Sequence, residues 1–97
     1  METGVPGCAG RPMIPAADRW GPFADGIEPA EQLARLRGLR ATARLLAGPR
    51  AADLCRLLAR AETDMTALEP ACRALNALPA NDRRQIWAAY AALARAA

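Results

Sequence analysis

From residue 29 onward, apolar positions return at helical intervals. Leu36, Leu39, Ala43 and Leu46 fall at i, i+3, i+7 and i+10, on one face of a 3.6-residue period. Pro29 suits a first helical turn, where a missing N–H costs nothing, and Glu31 complements the positive end of the helix dipole. The spacing predicts a first helix over 29–47. Gly48-Pro49 ends it, with glycine at the C-terminal cap and proline opening the next element. Leu54, Leu57, Leu58 and Ala61 then predict a second helix over 50–62, with Asp53 and Arg56 placed to pair on its outer side.

Thr66 followed by Glu69 resembles a capping box, and Pro70 is tolerated only in a first turn. The third helix is therefore expected to start between Thr66 and Glu69, to carry Leu68, Cys72, Leu75 and Leu78 on one stripe, and to stop at Pro79. Asn81 and Asp82 are good N-caps for a fourth helix over 82–96, with Ile86, Tyr90 and Leu93 on its stripe and Trp87 beside them. Four short helices joined by tight turns predict an all-α fold. The expected form is a small antiparallel bundle in which neighbours in sequence are neighbours in space.

Residues 1–28 break this pattern. Five glycines and four prolines interrupt every helical window there, so the chain divides into an extended arm over 1–28 and a helical bundle over 29–97. The arm nevertheless holds Trp20 and Phe23, residue types that disordered segments usually lack. It is expected to lie across the bundle as a strap or to anchor a partner. The stripes of the bundle lean on alanine, which buries little area, so such a core gains from a strap or from a second chain.

Composition narrows the function. The chain has no histidine, lysine or serine, which removes the usual base, amine and hydroxyl nucleophile of side-chain catalysis, and a non-enzymatic protein is expected. All thirteen basic residues are arginine, as a GC-rich genome produces, and the net charge of +3 is a weak signal for nucleic acid. Cys8, Cys55 and Cys72 have no C-x-x-C spacing and no histidine to join them, so reduced, mostly buried thiols are expected, with no metal and no cofactor. The N-terminus lacks the apolar run of a signal peptide and no stretch has the ~20 apolar residues of a membrane span. A cytoplasmic protein of a bacterium or phage is the expectation.

The candidate binding residues are Trp20 and Phe23 on the arm and Arg37, Arg40, Arg44 and Arg56 on the first two helices. Arg37, Arg40 and Arg44 fall within about 60° of arc, a row suited to bidentate contacts with carboxylates or phosphates. Seven arginines lie between residues 35 and 60 against one acid, Asp53. A helix-turn-helix over Leu54 to Ala77 lacks the polar side chains that a recognition helix needs, since its second helix offers only Arg73 beside Glu69 and Pro70. Trp87 and Tyr90 read as core, and Arg83-Arg84 oppose the dipole of their helix. The expected function is a protein–protein interaction module, an adaptor, accessory subunit or inhibitor, with a protein partner or a second copy and no membrane. An arginine-dependent nucleic-acid-binding regulator is the alternative. The two differ in whether the arginines form one exposed patch or are tied to Asp53, Glu31 and Glu62.

Overall fold

The computed structural model describes residues 21–24 and 26–96, and every regular element among them is helical. The elements are α1 (Pro29–Ala47), α2 (Ala52–Ala61), α3 (Leu68–Asn76) and α4 (Ala80–Ala96), with 3₁₀ turns at Gly48–Ala51 and Met65–Ala67. Gly48 stops α1 in the left-handed region at φ +54°, and its N–H donates to the Arg44 carbonyl. Pro49 then sets a tight 3₁₀ turn, so α2 begins two residues later than the periodicity suggests. The capping residue before α3 is Asp64 rather than Thr66. Its carboxylate accepts from the Thr66 N–H at 3.0 Å and from Thr66 Oγ1 at 2.6 Å, which holds Asp64 below the usual carboxylate range. Helix α4 starts directly after Pro79, which places Asn81 and Asp82 inside its first turn instead of at its cap.

Helix α1 is central. It packs against α2 on one side and against α4 on the other, while α3 rests on α2. The expected rule of sequence neighbours as spatial neighbours therefore breaks at the last helix, which is seated mainly on α1 and not on α3. Leu36, Leu39, Leu54, Leu58, Leu75 and Ile86 are buried almost completely, joined by Ala43, Ala51 and Ala71 at zero exposure. Trp87 and Tyr90 are core residues, as expected, and meet edge to face with ring centres 5.8 Å apart. Two residues leave the expected stripes: Leu46 and Leu93 are exposed, and Ala47 enters the core instead. The helical period explains α1. Ala47 lies about 20° around the axis from Leu36, whereas Leu46 lies about 80° away.

The chain ahead of α1 is held against it. Gly21 and Pro22 are buried and Phe23 packs partly buried on the core. Gln32 Nε2 donates to the Pro22 carbonyl at 2.9 Å and Arg35 Nη1 to the Gly21 carbonyl at 3.2 Å. Trp20 and the arm before it lie outside the described residues. Cys55 is a half-buried free thiol that donates to the Arg40 carbonyl at 3.7 Å, and burial pushes its pKa up. Cys72 is disulfide-bonded, in place of the expected reduced thiol.

Candidate functional site

Helix α1 turns its core stripe inward. Arg37, Arg40, Ala41, Arg44 and Leu45, between about 40° and 180° around the axis from Leu36, line a shallow depression of about 500 Å³. At 100° per residue, Arg40, Arg44 and Arg37 fall within about 60° and form one lane. Ala41 and Leu45 form a second lane beside it. Leu45 is 84% exposed, the most exposed large apolar side chain among the described residues.

Carboxylates already occupy part of the arginine row. Glu62, at the end of α2, reaches across to α1, where Arg37 Nε donates to its Oε1 at 3.3 Å. Arg40 Nη2 lies 3.4 Å from Glu62 Oε2, an ion pair without hydrogen-bond geometry. Arg44 is exposed and pairs with no carboxylate among the described residues. Arg56 pairs with Asp53 one turn earlier on α2 and lies outside the depression. The row is thus one structure made of Arg37, Arg40 and Arg44. Arg56 is separate, Phe23 belongs to the core edge, and Trp20 falls outside the described residues. On α3, Arg73 is paired with Glu69 at 3.0 Å, so the helix-turn-helix reading finds no free base-reading side chain there.

The arginine pattern does not point to Leu45, although the helical spacing does. It sits nine residues after Leu36, which is 180° around the helix from the core stripe. A leucine in that position buries nothing within the bundle and stands in water.

Two other arginines have structural work. Arg50 Nε and Nη2 donate to Asp82 Oδ2 and Oδ1 at 2.8 and 2.9 Å, a bidentate pair that ties the α1–α2 turn to the start of α4. Arg83 Nη1 donates to the carbonyls of Asn76 and Leu78 at 3.1 and 3.0 Å, closing the C-terminal end of α3. Its unfavourable place in the first turn of α4 is thereby explained by a neighbouring helix end rather than by an outside contact. The Arg50 guanidinium holds Asp82 below the usual carboxylate range. A depressed folded pKa contributes stability that is present above the ordinary aspartate value near about 4 and is lost as pH falls through the lower folded value. Urea unfolding between neutral pH and about pH 2 should show Asp82→Asn flattening that acid limb. An unchanged acid limb in the variant would mean that the pair contributes nothing to it.

A second groove, of about 440 Å³, lies between α1 and α4 and is lined by Glu31, Arg35, Gly38, Tyr90 and Leu93. The Tyr90 ring lies over Gly38, where an added Cβ would meet it in ordinary contact at 3.5 Å, and burial pushes the Tyr90 hydroxyl up to about 12. Glu31 and Arg35 pair with each other at 2.9 Å on its rim. Among the described residues no three histidine, cysteine or acidic side chains come together as metal ligands, and no helix is long and apolar enough to cross a membrane. Comparison with known proteins finds no matching family model, no similar curated protein and no similar solved structure.

Proposed function

We propose that this chain is a non-enzymatic protein–protein interaction module, an adaptor, accessory subunit or inhibitor of a larger bacterial or phage protein, and that it binds through the outer face of α1. The observation that carries this reading is Leu45, 84% exposed within a row of arginines. A large apolar side chain left in water beside fixed charges fits a protein surface, whose binding core is apolar and whose rim is polar. The missing histidine, lysine and serine support a role without catalysis. The segment ahead of α1 serves in this reading as a strap for a small bundle, supported by the burial of Gly21 and Pro22.

The nucleic-acid alternative is weakened by the local charge balance. Glu62 beside Arg37 and Arg40, and Asp53 beside Arg56, offset much of the positive charge that a phosphate backbone would need, and Arg44 is the single arginine of the four without a carboxylate among the described residues. The test is a photocrosslinking amino acid at position 45, illuminated in native cell extract. Crosslinks to a defined protein are expected. Crosslinks to nucleic acid, together with tight duplex binding whose affinity falls with salt at a slope of about −0.9 per neutralised phosphate, would replace this reading with the alternative.

A further inference from the structure

The depression on α1 has a second property, which concerns what fits it. It presents two parallel lanes, one cationic and one apolar. Arg37 and Arg44 are seven residues apart, about 10.5 Å along the axis, and the Ala41/Leu45 lane runs beside them. A helix with carboxylates seven residues apart and an apolar residue one position beyond one of them has the same rise and the same offset. Two helices laid side by side would then pair Arg37 and Arg44 with those carboxylates and cover Leu45.

Glu62 shows the chemistry that the row accepts. A carboxylate placed against α1 draws Arg37 and Arg40 together onto its two oxygens, although it comes from another helix. It accepts only one hydrogen bond from Arg37, and a guanidinium has several N–H donors. Arg37 is 59% exposed and lines the depression, so donors remain open to a partner. Arg44, next to Leu45 in sequence, brings an uncompensated charge. Phosphate would use the charge but gain nothing from Leu45, and the Glu62 carboxylate would repel a densely charged backbone more than it would a segment carrying isolated acids.

Resting on the interaction-module reading, we propose that the outer face of α1 binds an acidic amphipathic helical segment of a partner protein, whose carboxylates engage Arg37 and Arg44 while an apolar side chain covers Leu45. Glu62 holds Arg37 and Arg40 in position before the partner arrives. This reduces the side-chain ordering that binding would otherwise require.

The experiment uses the full chain and three probes, followed by fluorescence anisotropy. The first is a synthetic peptide of about 15 or more residues, long enough to hold a helix, with glutamates seven residues apart and leucine one position beyond one of them. The second is a poly-glutamate peptide of equal charge, and the third is a short DNA duplex. The amphipathic peptide should bind at least about tenfold more tightly than poly-glutamate, and both Leu45→Asp and Arg44→Glu should lose about tenfold or more of that affinity. Arg84→Glu, the same charge change at an exposed site on α4, should leave binding unchanged. Circular dichroism confirms that each variant folds, as expected for side chains that stand in water. Equal binding of all three probes, or loss with Arg84→Glu as large as with Arg44→Glu, would reduce the face to a general cationic surface and overturn the proposal. Absence of peptide binding while the position-45 crosslinker still captures a protein would overturn the acidic segment and leave the interaction module standing. Failure of both would remove both.

Discussion

Replacing Leu58 by alanine is expected to bring the chain close to unfolding. Leu58 is fully buried on α2, the helix that packs against both α1 and α3. Truncating a buried leucine costs about 3 kcal/mol, from lost transfer energy and from the cavity left behind. A chain of this length holds on the order of 5–10 kcal/mol in total, and alanine-lined contacts place it toward the lower end. The urea midpoint should fall by about a third or more, whereas Leu46→Ala, at a position one-third exposed, should shift it by less than ~1 kcal/mol. If the two variants lost equal stability, the assignment of these leucines to core and surface would be wrong.

The second large effect runs against hydrophobicity. Ala43→Leu adds apolar carbon to a buried helix position and leaves helix propensity nearly unchanged, so on transfer energy alone it would stabilise. Ala43 has zero exposure on α1, with Ala47 and Ala51 buried just beyond it in the chain. Such positions are filled by small side chains because helices approach closely there, and extra methylenes force neighbours off their rotamers at a cost of about 1–3 kcal/mol. The same substitution at Ala88, exposed on α4, should be close to neutral. Thermal unfolding of both variants reads the difference. A stabilised Ala43→Leu variant would reveal spare volume beside α1 and overturn the description of this core as tightly filled.

The sequence made some of this legible and hid the rest. The bounds of α1 follow from Pro29 and Gly48, because proline and glycine act through their own backbone and need no distant partner. The start of α2 was misplaced since Pro49 favours a 3₁₀ turn as readily as an α-helix, and local signals do not separate the two. Thr66 with Glu69 has the spacing of a capping box, but the folded turn gives the cap to Asp64, which that spacing does not mark. Long-range facts were out of reach. The Arg50–Asp82 pair joins residues 32 positions apart, and nothing local marks it. Glu62 was named as a possible tether for the arginine row, but not which arginines it would hold. Leu93 was given to the core because helical spacing identifies a face without measuring how wide a face its neighbour covers.

The seating of α4 on α1 also sets a condition on how the protein is made. During synthesis α1 emerges first, and α2 can cover one of its sides almost at once, since only the Gly48–Ala51 turn separates them. The other side waits for α4, which begins at Ala80 and follows both α2 and α3. At roughly 5–20 residues per second, that interval is on the order of seconds. Throughout it, the surface around Gly38 that will receive Tyr90 and Leu93 stands open to water on the growing chain. A nascent chain with one uncovered apolar flank is a natural client for chaperones, and its yield in a cell depends on how fast the ribosome delivers the last helix.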